Sequence, residues 1–170
     1  YYLALVKAGI IQKKINSERK NAAALAPSFD TWGEQFGRDQ MPDKFDEPML
    51  LSIYEGIKRS KMEAKMIVID GYWERNYGDL LHSTERFPHF NETLARIRSE
   101  GHLIGLWAAF MRCSSPEALG LTTANMLRLE DGQPFKIGKN VITDKPFYIM
   151  DCTQTEVQHV LRRLAREFVR

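Results

Sequence analysis

Residues 66–107 read MIVIDGYWERNYGDLLHSTERFPHFNETLARIRSEGHLIGLW, and this stretch decides the fold. It opens on Met66-Ile67-Val68-Ile69, an apolar run without polar alternation, the pattern of a strand covered on both faces as in a parallel sheet. Asp70 ends that run. From Phe90 to Glu100 the residues Phe90, Leu94 and Ile97 recur on one helical face, and Gly101 follows where a left-handed helix end is wanted. His102 to Trp107 is then a second buried strand. Strand, helix and strand in this order imply a right-handed crossover and parallel pairing.

Working outward, Ser28 to Trp32 is short, partly β-branched and aromatic, and reads as an earlier strand. Glu47-Pro48 starts a helix, with Pro at the position where its missing N–H is harmless, and Leu50 or Leu51, Tyr54 and Ile57 form its apolar stripe. After Trp107, Ser115-Pro116-Glu117 suggests a short helix. Met126 to Gly138 reads as a hairpin about Asp131-Gly132, with Pro134 placing its return arm at an edge. Phe147 to Asp151 is a fourth short strand, and Thr153 to Glu156 has the form of a capping box before a helix bearing Val157, Val160, Leu161, Leu164 and Phe168. The similar spacing of the four strand starts, at Ser28, Met66, Leu103 and Phe147, predicts repeating βα units. Residues 1–26 read as an N-terminal helical segment, with Leu3, Val6 and Ile10 on one side and Lys7, Lys13, Lys14, Arg19 and Lys20 on a solvated face.

Composition narrows the function. The chain has 170 residues, 44% hydrophobic and 27% charged, which suits one packed domain and excludes a disordered or collagen-like chain. Lys and Arg total 24 against 22 Asp and Glu, mixed in sign throughout, so no basic stripe marks a nucleic-acid partner. The apolar runs Tyr1–Val6 and Leu106–Met111 fall far short of the about 20 residues of a membrane span. Cys113 and Cys152 have no metal-ligand spacing and read as buried thiols. His82, His89, His102 and His159 show no pairing that would mark a metal or catalytic site. Tyr1 in place of Met, without a basic leader, is unlike a secretory signal and suggests a chain cut from a longer one.

Ligands of parallel α/β folds bind at the carboxyl ends of the strands. Those ends carry Asp30 with Trp32, Asp70 with Trp73, and Trp107, so every tryptophan of the chain falls at or just past a strand end. Aromatic faces beside carboxylates suit a sugar, whose C–H face stacks while its hydroxyls hydrogen-bond. Asp79 and Asp151 read as loop and turn hydrogen-bonders instead.

The residues Asp70 and Trp73, Gly78-Asp79, Arg86-Phe87-Pro88, Gly101 and Gly105-Leu106-Trp107 occur in an order that resembles the second and third barrel units of family 31 and family 36 glycoside hydrolases, which are retaining α-glycosidases. Phe147 to Glu156 is similar to the strand–Asp–helix segment those families carry before their catalytic strands. The resemblance runs from about Pro27 to Arg170 and implies the first three βα units of a (β/α)8 barrel with an inserted β-hairpin, as residues 27–170. Phe110, Leu80 and Gly71 stand where the families usually have Pro, Trp and a second acid.

The resemblance further implies that Asp70 accepts hydrogen bonds from the sugar next to the cleaved bond. Trp107 lines that subsite, Trp32 and Trp73 shape or support it, and Asp30 is a further candidate. It implies no cofactor and no metal. Its partners are a carbohydrate substrate and the remainder of the same barrel. Retaining hydrolysis uses two carboxyl groups about 5–5.5 Å apart; in these families both lie on later strands, here downstream of Arg170, so the chain alone is expected to be inactive. The rival expectation is a complete doubly wound α/β ligand-binding or regulatory domain, which would place the Phe147 strand within the main parallel sheet.

Overall fold

The computed structural model of the protein describes residues 7–9, 25–37, 44–140 and 143–168. The proposed helical segment 1–26, with Leu3, Val6, Ile10, Lys13, Lys14, Arg19 and Lys20, lies almost wholly outside the described residues. The elements are β1 (Ser28–Asp30), α1 (Trp32–Gly37), α2 (Glu47–Ser60), β2 (Met66–Ile69), α3 (Phe90–Ser99), β3 (Leu103–Leu106), β4 (Arg112–Cys113), β5 (Lys136–Lys139), β6 (Pro146–Ile149) and α4 (Thr155–Phe168), with 3-10 turns at Pro116–Leu119 and Thr123–Asn125.

The fold is mixed α/β and begins with a three-stranded parallel sheet in the order β1-β2-β3. Asp30 is paired with Val68 and Ile69 with Leu106, so the three carboxyl ends lie level. Helices α2 and α3 cover one face. Asp46 caps α2, its Oδ1 accepting the Met49 N–H at 2.9 Å, and Pro48 occupies the first turn. Glu47 ties the two helix starts together, accepting the His89 N–H at 2.9 Å and the Thr93 hydroxyl at 2.6 Å. Leu50, Ile53, Tyr54 and Ile57 of α2 and Phe90, Leu94 and Ile97 of α3 close over Ile67 and Ile69. Each such side chain contributes about 1.5–3 kcal/mol by leaving water.

The expectation of a β2 strand covered on both faces is corrected: Ile67 and Ile69 are buried, while Met66 and Val68 on the opposite face are half-buried. Every residue of β3 is likewise half-buried. The Ser28–Trp32 strand is also shorter than predicted. Asp30 Oδ1 accepts the Trp32 N–H at 2.9 Å, and that local bond turns the chain into α1 at Trp32.

The Phe147 strand does not extend the parallel sheet. It is β6, antiparallel between β4 and β5 in a second three-stranded sheet. A parallel neighbour needs a crossover segment returning the chain to the same end, usually a helix; among the described residues the segment between β3 and β6 holds β4, two single-turn helices and the hairpin but no longer helix, and β6 pairs antiparallel. This corrects the equal-unit reading and removes the arrangement expected of a doubly wound domain. The hairpin about Asp131-Gly132 is present, with Arg128 bridged to Pro134.

The capping box at Thr153 is replaced by Asp151. Its carboxylate accepts the Thr153 N–H at 3.0 Å, the Thr153 hydroxyl at 2.7 Å and Gln154 Nε2 at 3.0 Å, which delays the start of α4 to Thr155. Val157 and Leu164 then pack with Cys113, Leu119, Leu121, Met126 and Met150 as a second core. Cys113 is fully buried and its thiol is pushed up to about 12 by burial, whereas Cys152 is half-buried. A small third cluster, Tyr77, Ala109 and Phe147 with Trp107 against it, joins the two sheets.

Candidate functional site

The level carboxyl ends of β1, β2 and β3 bring Asp30, Asp70 and Trp107 to one rim. Thr31 fixes the first two strands there: its backbone N–H donates to the Val68 carbonyl at 3.0 Å, and its hydroxyl oxygen accepts the Asp70 N–H at 2.9 Å. Gln35 Nε2 donates to the same hydroxyl oxygen at 3.0 Å. Asp70 Oδ1 accepts the Gly71 N–H at 2.7 Å. Burial raises the Asp70 pKa; the Gly71 N–H opposes that shift, and the charge and hydrogen bond of the Asp30 carboxyl reinforce it. Trp107 is held by its N–H to the Ile69 carbonyl at 2.9 Å.

These residues border an open cleft of about 430 Å³ lined by Asp30, Trp32, Gly33, Asp70, Tyr77, Trp107 and Arg112. That is within the roughly 300–1,000 Å³ of small-molecule sites. Trp32 is 47% exposed, its ring 4.3 Å from that of Phe36. Tyr77 lies 5.3 Å from Trp107, and burial holds its hydroxyl pKa well above the usual range. Two carboxyl groups, three ring faces and one guanidinium thus share one cleft. Such a lining can accept hydroxyl hydrogen bonds while stacking on an apolar face.

Four of the five sequence candidates therefore meet: Asp30, Trp32, Asp70 and Trp107. Trp73 does not. It is 2% exposed, parallel to Phe90 at 5.7 Å in the core, and reaches the site only through its indole N–H, which donates to the Trp107 carbonyl at 2.8 Å. The positive φ of Tyr72, 69°, breaks the extended alternation after Asp70 and turns the next side chain inward. The picture of three indoles on one rim is corrected to two.

The loop after β2 shapes the cleft wall. Arg86 spans its base, donating to the carbonyls of Phe45 at 3.0 Å, Glu74 at 2.8 Å and Tyr72. Asp79 accepts from Asn76 Nδ2 and the Leu81 N–H, both at 3.0 Å, and from Arg75, as a loop hydrogen-bonder. Glu74 is 3% exposed; its Oε1 accepts the N–H groups of Gly78 and Leu80, its Oε2 has no partner, and burial pushes its carboxyl up to about 8. Gly78, at φ +89°, lies against the strand carrying Arg112, where a Cβ would be 2.1 Å from the Arg112 carbonyl oxygen. Tyr77 and Arg112 were not assigned from sequence; Tyr77 was visible as an aromatic past β2, but a strand as short as β4 has no period that would mark Arg112.

Among the described residues no group of three or more His, Cys, Asp or Glu could hold a metal ion, and no helix is long and apolar enough to cross a membrane.

No family model matches the chain, and no curated protein matches it. Solved structures do. An α-galactosidase from Thermus thermophilus in complex with stachyose superposes with a TM-score of 0.64 at 25% identity, over 85% of this chain and 30% of the enzyme. The same enzyme in complex with p-nitrophenyl α-D-galactopyranoside gives a TM-score of 0.65 at 24% identity, over 28% of its length. The chain spans less than a third of these two structures, and over most of its own length it is similar to one segment of a glycoside hydrolase.

Proposed function

We propose that the chain is the N-terminal part of a glycosidase (β/α)8 barrel, acting on α-glycosidic bonds, and that it supplies sugar-binding residues while the catalytic carboxylates belong to later strands. The observation that carries this reading is the convergence of Asp30, Trp32, Asp70 and Trp107 at the carboxyl ends of parallel strands, around one cleft. The similarity to an α-galactosidase segment supports the same reading. Asp70 accepts sugar hydroxyls, Trp107 and Trp32 offer ring faces, and Trp73 braces Trp107 through its carbonyl.

The two cleft acids are poorly suited to be the catalytic pair. A retaining enzyme holds its carboxyl groups about 5–5.5 Å apart, with the scissile bond between them. Asp30 and Asp70 stand side by side at the ends of adjacent paired strands, close enough for the Asp30 charge to raise the Asp70 pKa. A charged hydrogen bond contributes about 1.5–3 kcal/mol, and much of that binds substrate and transition state equally, against the roughly 8–23 kcal/mol that enzymes remove from barriers.

The test is hydrolysis of p-nitrophenyl α-D-galactopyranoside and its gluco isomer, by the full-length protein and by residues 1–170 alone. The expected result is turnover by the former only. Turnover by the isolated chain would refute the division of labour; failure of the full-length protein to bind or cleave either glycoside would refute the reading itself.

A further inference from the structure

Neutral-sugar recognition leaves one cleft residue without a task. The Arg112 guanidinium lies 4.9 Å from the ring centroid of Tyr77, 5.0 Å from Phe147 and 5.7 Å from Trp107, and Nη2 donates to Tyr77 Oη at 3.1 Å. Among the described residues no carboxylate lies within ion-pair distance of it. Burial pushes the carboxyl of Glu74, which feels the field of this cation, up to about 8. The cation therefore lines the cleft without an ion-pair partner among the described residues, on a side chain packed against three rings.

The space it commands adjoins Asp70. Gly71 places no side chain there, and a Cβ at that position would meet Tyr77 Oη at 3.4 Å and Trp107 at 3.7 Å. The hydroxyl that touches the guanidinium thus also borders the gap beside residue 71. A guanidinium presents a planar fork of donors that matches an oxyanion two bonds at a time. Partial removal of water by the flanking rings strengthens such bonds. Asp30 and Asp70 would repel an anion, which confines it to the Arg112 end and leaves the carboxyl end for hydroxyls.

We propose that the cleft selects α-glycosides carrying an oxyanion, a carboxylate or a sulfate ester, with Arg112 binding the anion across the gap left by Gly71. This rests on the carbohydrate-binding reading above and deepens it. The test is calorimetric titration of the full chain at low ionic strength with methyl α-D-galactopyranoside, its 6-carboxylate and its 6-sulfate. The expected result is at least about tenfold tighter binding of one or both anionic probes than of the neutral one, with the tighter of the two identifying the oxyanion.

Arg112→Gln should abolish that preference. Gly71→Asp, at a backbone conformation open to any residue, should abolish it too by pairing with the cation rather than removing it, so the result does not depend on one variant folding. Equal or tighter binding of the neutral glycoside overturns the inference and leaves the carbohydrate reading intact. Anion preference that survives both substitutions overturns the role of Arg112. Binding of none of the three probes overturns both readings together.

Discussion

Gly78→Ala should be among the most damaging single-methyl additions to this chain, and the structure says by how much. Residue 78 has φ +89°, and Gly101 has nearly the same value, +95°. A left-handed backbone is disfavoured by about 1–2 kcal/mol for an L-residue, so both glycines share that penalty on substitution. They differ in surroundings. A Cβ at Gly101 meets nothing within 4 Å, whereas one at Gly78 would lie 2.1 Å from the Arg112 carbonyl oxygen and 3.2 Å from that of Ala109. Relief requires the loop to retreat from the strand by about an ångström, against hydrogen bonds from the Ser114 N–H to the Tyr77 carbonyl and from the Tyr77 N–H to Ser114 Oγ, both 3.0 Å. Losing those two adds about 1–3 kcal/mol.

Gly78→Ala should then destabilise by about 2–5 kcal/mol and Gly101→Ala by about 1–2. Urea unfolding followed by tryptophan fluorescence measures both. Equal losses at the two sites would refute the claim that this close approach holds the cleft wall together. Because Tyr77 and Arg112 flank the contact, the Gly78 variant should also bind glycosides more weakly at temperatures where it remains folded.

Other substitutions probe the remaining supports. The Glu74 carboxyl ionises near its ordinary value when unfolded and at about 8 when folded, so the folded chain holds the extra proton between those values. Stability should therefore fall as pH rises from about 4.5 to 8 and level off above; Glu74→Gln should flatten that slope in urea titrations at pH 5, 7 and 9, and an unchanged slope would exclude Glu74 as its source. Arg86→Lys cannot reach three carbonyls from one fork and should lose about 2–3 kcal/mol in the same assay. Asp70→Asn should weaken binding of methyl α-D-galactopyranoside about 10–100-fold by calorimetry, the worth of a charged hydrogen bond, with little loss of stability since the Thr31 bond goes to the backbone.

Legibility in the sequence followed what each residue's pattern could encode. Asp70 and Trp107 were readable because uniform apolar runs end abruptly at them, and parallel pairing puts such ends on one side. Trp73 also follows a strand end, past Gly71 and Tyr72, and the positive φ of Tyr72 reverses its direction, a local twist that neither aromatic content nor hydrophobic period records. Phe147 to Met150 has the same apolar composition whether it joins a parallel or an antiparallel sheet; the chain between Leu106 and Pro146, which among the described residues supplies no long crossover helix, decides the matter. Thr153 and Asp151 are both good caps two residues apart, and the carboxylate, with more acceptor capacity, holds the turn. Arg112 gained its place through rings contributed by three separate segments, a convergence invisible from any one of them.

The most direct measurement on the central claim uses the three indole N–H signals of the chain in a proton–nitrogen correlation spectrum, assigned by single Trp→Phe variants and followed during titration with methyl α-D-galactopyranoside and its 6-carboxylate. Trp32 and Trp107 should move with added glycoside in a saturable way while Trp73, stacked in the core, moves least. A spectrum in which neither Trp32 nor Trp107 responds, or in which Trp73 alone does, would contradict the assignment of the cleft as a sugar-binding site.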